Sequence, residues 1–120
     1  MGNPVTHFEI ALQDVKKMKA FYAKAFGWKF GKGPHRGVHL AKTGSKKGIQ
    51  GFLLERGEHI PDYVSLYVEV ADMDKAIAKV TKAGGAIIRP VFSPDGKNQL
   101  CIVSDPEGHV FTLSKLSRKR

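Results

Sequence analysis

Displacing the chain on itself by 58 positions superposes Asp14 on Asp72, Lys17 on Lys75, Ala20 on Ala78, Lys24 on Lys82, Ala25 on Ala83 and Gly27 on Gly85. These six identities fall within a window of about 20 positions, where ordinary residue frequencies give roughly one or two. The chain has 120 residues, so each copy is about half of it, and domains of about 60 residues are marginal on their own. Two copies are too few for a stacked array. The duplication therefore predicts two supersecondary modules sharing one domain, which we read over residues 1–120, with module one over about 4–56 and module two over about 63–116.

Within the first copy, residues 5–12 (VTHFEIAL) are rich in strand formers and lead into Asp14, a helix N-cap residue. Val15, Met18, Phe21, Tyr22, Ala25 and Phe26 then recur at helical spacing up to the stop at Gly27. Three short strands follow, over 28–30, 38–42 and 49–55, separated by the breakers Gly31-Lys32-Gly33-Pro34 and Thr43-Gly44-Ser45-Lys46-Lys47-Gly48. The second copy repeats the order: a strand over 64–70, the cap Asp72, a helix over 73–83 stopped by Gly84-Gly85, and strands over 86–89, 99–104 and 109–114. A β-α-β-β-β unit has one helix to cover one sheet face, so the other face must line a core or a pocket. The predicted fold class is α+β: two tandem βαβββ modules forming a curved sheet around a cleft, with the helices outside.

Composition removes several function classes. Twenty Lys plus Arg against eleven Asp plus Glu give a net charge of +9, which invites an acidic partner. The lysines are scattered, however, with local runs only at Lys46-Lys47 and Arg118-Lys119-Arg120, and neither zinc-finger spacing nor an aromatic RNA-binding signature is present. Nucleic acid is disfavoured as a partner. No apolar run approaches the roughly 20 residues that span a bilayer, and the start runs into a strand pattern without a basic and apolar leader, so the expectation is a cytoplasmic protein that does not enter membranes. The single cysteine, Cys101, lies between Leu100 and Ile102 and reads as a buried, inert thiol.

Several segments resemble the vicinal oxygen chelate superfamily of glyoxalase I, extradiol dioxygenases and bleomycin-resistance proteins. They are His7-Phe8-Glu9-Ile10, the helix end Phe21-Tyr22-Ala23-Lys24-Ala25-Phe26-Gly27-Trp28, Gly48-Ile49-Gln50-Gly51-Phe52, Tyr67-Val68-Glu69-Val70-Ala71-Asp72, Ala83-Gly84-Gly85 and Asp105-Pro106-Glu107-Gly108-His109-Val110-Phe111. The branch most similar is the one described as predicted enzymes related to lactoylglutathione lyase. The resemblance implies a small-molecule ligand, a homodimer, and four metal-ligand positions, which fall on His7, Gln50, Ser65 and Thr112. His7 and Ser65 lie 58 apart, and Gln50 and Thr112, 62 apart, are read as equivalent places in the two modules. Only His7 is a good donor, with Gln50 or Glu9 as a second, because neutral hydroxyls and amide oxygens are poor ligands for such metals. The expected cofactor is none, or a weakly held divalent metal.

Alternation along strands tells which side chains share a face with these positions. His7 brings Glu9, Gln50 brings Phe52 and Leu54, Ser65 brings Tyr67 and Glu69, and Thr112 brings Val110. His7 and Glu9 are the candidate catalytic residues, since an imidazole titrates near about pH 6.5 and an inward carboxylate can move a proton beside a carbonyl. The same alternation also fits a solvated face on which both do nothing. Gln50, Phe52, Ser65, Tyr67, Glu69 and Thr112 are candidate ligand-binding residues. Phe21, Tyr22, Phe26 and Trp28 read as packing. His35, His39, His59 and His109 have no ligand spacing. Two functions stay open: a glyoxalase-like lyase or isomerase acting on a carbonyl or vicinal-oxygen compound, and a non-catalytic protein that sequesters a small molecule or antibiotic as bleomycin-resistance proteins do.

Overall fold

The computed structural model describes residues 2–57 and 61–117. His59 and the run Arg118-Lys119-Arg120 lie outside these residues. The βαβββ order occurs twice: β1 (Val5–Leu12), α1 (Val15–Phe26), β2 (Lys29–Lys32), β3 (Val38–Lys42), β4 (Gln50–Glu55), then β5 (Tyr63–Glu69), α2 (Met73–Lys82), β6 (Ala86–Phe92), β7 (Gln99–Ser104) and β8 (Val110–Lys115). The fold is α+β. The chain divides into two compact units, one over His7–Ser65 and the other over Met1–Thr6 with Leu66–Arg120. Among the described residues no helix is long and apolar enough to cross a membrane.

In the His7–Ser65 unit the strand order is β2-β3-β4-β1. β1 runs parallel to β4, and β3 is antiparallel to both β2 and β4. Asp14 opens α1 by accepting the Lys17 N–H at 3.0 Å, and Gly27 closes it in the left-handed region at φ 71°, a conformation glycine adopts without steric cost. Tyr22 on α1 stacks on Trp28, which leans on Phe8 of β1. The helix therefore covers the face that carries Phe8. Gly51, opposite Phe8 in the ladder, is required there, because a Cβ would lie 2.3 Å from the Phe8 ring. Ala11, Leu12, Val38, Ala41 and Leu53 are buried.

The other unit has the order β5-β8-β7-β6, with β5 parallel to β8 and the remaining pairs antiparallel. Asp72 caps α2 through the Lys75 N–H at 3.0 Å, repeating the bond made by Asp14. Met73, Ala76, Ile77 and Val80 of α2 pack with Val68, Val70, Cys101, Val103, Phe111 and Leu113. Gly84, not Gly85, carries the positive φ after this helix; at Gly85 a Cβ would meet the Ser104 carbonyl oxygen at 2.5 Å.

Four expectations need correction. Gly31 and Lys32 belong to β2, since both pair with β3 and the Gly33 N–H reaches the Val38 carbonyl at 3.1 Å; Trp28 precedes the strand. β6 continues through Pro90 to Phe92, which an edge strand with two register irregularities permits. β5 begins at Tyr63, one residue earlier than expected. Finally, Phe21 and Phe26 remain 54% and 61% exposed, and α1 has no buried residue. Phe21 meets Tyr22 edge-on, and Phe26 stacks on Tyr22 and tilts against Trp28, so both rings pack on aromatic neighbours without being buried.

Candidate functional site

The parallel β1/β4 ladder sets His7 opposite Gln50 and Glu9 opposite Phe52. Because Phe8 and Gly51 take the helix side, His7, Glu9, Gln50 and Phe52 share the helix-free face of their unit. On it the His7 and Phe52 rings stack at 4.6 Å with only 13° between planes. Glu9 is 4% exposed, so the solvated alternative for this residue is overturned. A carboxylate buried that far must be hydrogen-bonded, and the Tyr63 hydroxyl donates to Glu9 Oε2 at 2.6 Å. Burial, then the hydrogen bond and the charge of Glu9, push the Tyr63 phenol well above its ordinary value. Tyr63 thus stays protonated and keeps donating.

Gln50 turns its carboxamide to the β3–β4 connection. Its Oε1 accepts the Thr43 N–H at 2.6 Å, and its Nε2 donates to Thr43 Oγ1 at 3.0 Å and to the Ser45 carbonyl at 3.1 Å. Ser65 of β5 belongs to the same unit and is buried. Tyr63 is the residue that sequence reasoning missed: it is two positions before Ser65, so the alternation that linked Ser65 to Tyr67 reaches it once the strand is extended by one residue.

In the second unit the β5/β8 ladder sets Tyr67 opposite Thr112 and Glu69 opposite Ser114. Val68 and Leu113 pack under α2, so Tyr67, Glu69 and Thr112 lie on that unit's helix-free face. Thr112 and Ser114 are buried, Tyr67 and Glu69 half-buried, and Val110 40% exposed. This register corrects the expected equivalence of Gln50 with Thr112. Glu9 and Tyr67 are 58 apart and face Phe52 and Thr112 respectively. The position matching Thr112 is therefore Phe52, 60 residues earlier.

The donor set does not fit a divalent metal. Phe52 offers hydrocarbon where a ligand would be needed, Gln50 is committed to a loop, and Ser65 and Thr112 are neutral hydroxyls. Among the described residues no three His, Cys, Asp or Glu side chains gather as a metal-holding group. His39 is engaged with Glu55 at 2.7 Å and His109 with Asp105 at 2.9 Å. Cys101 is fully buried, and burial raises its thiol pKa.

A family model described as the Glyoxalase/Bleomycin resistance protein/Dioxygenase superfamily matches residues 5–113. The chain belongs to that superfamily. Among curated relatives, the Mycobacterium bovis protein named "Putative glyoxylase CFP32" is 25% identical over 116 residues, covering 92% of this chain and 44% of its own length. The chain thus spans less than half of the relative it matches. Of solved structures, hypothetical protein BH1468 from Bacillus halodurans has a TM-score of 0.71 at 20% identity, covering 100% of this chain and 99% of that one. A mutant glyoxalase I from Zea mays has a TM-score of 0.68 at 26% identity, over 93% of this chain and 42% of its own. Methylmalonyl-CoA epimerase from Mycobacterium tuberculosis has a TM-score of 0.60 at 15% identity, over 95% and 88%. These three structures share the fold.

Proposed function

We propose that this superfamily member binds a small carbonyl compound on the helix-free face of the His7–Ser65 unit and that Glu9 moves a proton there, giving a lyase or isomerase. The observation that carries the reading is the 4% exposed Glu9 carboxylate, held by Tyr63 at 2.6 Å beside the His7–Phe52 stack. A carboxylate within reach of a bound ligand can act as general base toward a C–H bond adjacent to a carbonyl. Its oxygen takes the proton as the C–H bond breaks, and the electron pair moves into the carbonyl to give an enolate. His7 supplies an N–H to the developing oxyanion, and returning the proton to the other face or to the neighbouring carbon completes an isomerisation. Tyr63 is a positioning residue that fixes the carboxylate. Phe52 gives the ligand a flat apolar surface. An epimerase and a glyoxalase built on the same fold are in keeping with this chemistry.

The test is deuterium incorporation from D2O, followed by proton NMR, over a panel of small α-hydroxy and α-keto compounds. Wild type should exchange at least one of them, and Glu9→Gln should lose about 10²-fold or more, the usual weight of a general base, while keeping its fold. Sequestration without chemistry is the second reading, favoured by the poor metal donors and by the near-complete closure of Glu9. It predicts a ligand that raises the melting temperature without exchange in wild type. The homodimer implied by the resemblance is part of the proposal and is read by sedimentation.

A further inference from the structure

The Tyr63–Glu9 hydrogen bond joins the first residue of β5 to β1, and a second set of contacts joins the same two places by another route. Arg56 follows β4, and its N–H donates to the Leu12 carbonyl at 3.0 Å, one step beyond Leu12 opposite Glu55, the last pair of the β1/β4 ladder. Its guanidinium donates from Nε to Asp62 Oδ1, from Nη2 to Gln13 Oε1 at 3.3 Å and from Nη1 to the Gly57 carbonyl at 3.5 Å. Asp62 directly precedes Tyr63 in the chain. The contacts therefore close a ring, from Glu9 through Tyr63 and Asp62 to Arg56 and back to Leu12 and Gln13 at the end of β1. All of these residues belong to the His7–Ser65 unit.

The Asp62 side chain is 72% exposed and that of Arg56 17%, and an ion pair with so exposed a partner contributes little to stability. Stability is thus a poor account of the pair. Direction is a better one. A planar fork of N–H donors fixes an acceptor in angle as well as in distance, and the acceptor here is the chain neighbour of Tyr63. As the first residue of its strand, Tyr63 has the ladder on one side of it along the chain, so the segment before it decides how far it can shift. Its hydroxyl lies 2.6 Å from Glu9, and a displacement of about 1 Å would take it out of hydrogen-bond range.

We infer that Arg56 is a positioning residue for Glu9: by holding Asp62 it keeps the Tyr63 hydroxyl on the carboxylate, and its part in proton transfer rests on the proposed role of Glu9 as the base. The experiment compares the full chain, its tyrosines labelled with carbon-13 at Cζ, with Arg56→Met, which keeps an apolar stem in place of the guanidinium, and with Asp62→Ala. The Tyr63 signal, assigned through Tyr63→Phe, reports whether the phenol is still held, because a phenol that no longer donates to a carboxylate loses its proton more readily. In both variants Tyr63 should ionise about 1 pH unit lower than in wild type, the part of its resistance owed to the hydrogen bond, while the Tyr22 signal at neutral pH stays unmoved as a check on the fold. Deuterium exchange should fall about tenfold or more in both, the cost of misplacing a reacting group. Ionisation of Tyr63 as in wild type in both variants would overturn the inference, since Arg56 would then contribute packing alone, and so would exchange at the wild-type rate. If wild type exchanges none of the compounds, the role of Glu9 as a base falls, and the Tyr63 signal by itself decides whether Arg56 holds the phenol.

Discussion

Replacing Tyr63 by Phe removes one oxygen atom and leaves Glu9 without the donor at 2.6 Å. A hydrogen bond to a charged group contributes about 1.5–3 kcal/mol, so a loss of about 2 kcal/mol is expected at neutral pH, equivalent to roughly 8 °C in melting temperature for a domain of this size. The alkaline limb distinguishes this from a simple packing defect. Burial and Glu9 raise the folded pKa of Tyr63 above the unfolded value, which is about 10. The unfolded phenol therefore ionises first, and the stabilisation is fully present below about pH 10 and is lost as the pH rises through the folded pKa. At pH 11 linkage alone would remove about 1.4 kcal/mol from the wild type, and solvent screening at this half-buried site reduces that to about 1 kcal/mol. Tyr63→Phe has no such term. The stability gap between the two proteins should thus narrow by about 1 kcal/mol between neutral pH and pH 11, measured by urea unfolding, while tyrosinate absorbance shows one phenol fewer resisting ionisation in the variant. Parallel stability curves across that range would refute the reasoning, because Tyr63 would then hold its proton no better in the native state than in the unfolded chain.

Three further outcomes follow from local geometry. Gly51→Ala places a Cβ 2.3 Å from the Phe8 ring, and the overpacking should cost about 1–3 kcal/mol in urea unfolding. Cys101 is fully buried with a raised thiol pKa, so iodoacetamide should label it only at the rate of unfolding, and labelling at a free-thiol rate would contradict the burial. Asp105 is held below the usual carboxylate range, first by the His109 backbone N–H and also by the His109 ring and the Glu107 N–H. Its contribution is present above about pH 4 and lost as the pH falls through the depressed folded pKa, and Asp105→Asn should flatten the acid limb of the stability profile.

The two helices were legible because their signals are local and duplicated: an aspartate three residues before the N–H it caps, and a glycine near each end. Strand limits were less so. Gly31 looks like a breaker in the sequence, yet the β3 partner holds it in the ladder, and Pro90 looks like a stop, yet an edge strand loses little by missing one donor. The same one-residue uncertainty at the start of β5 hid Tyr63, and with it the partner of Glu9. Helical spacing put Phe21 and Phe26 in the apolar stripe of α1, but periodicity gives direction around a helix, not what covers it, and both rings are largely exposed.

The register of the two parallel ladders carries the last step. Sequence spacing alone made Gln50 and Thr112 equivalent, whereas the ladders pair Glu9 with Phe52 and Tyr67 with Thr112. Parallel partners share a sheet face, so the repeat places an aromatic ring in one unit where the other has a hydroxyl, and neither is a metal donor. The ring lies flat on the imidazole that would have been its fellow ligand. What that face retains is a buried carboxylate fixed by a phenol, a pair that needs no metal to hold its charge. The chemistry proposed at this face then rests on Glu9, and Glu9→Gln tests it more directly than any survey of added ions.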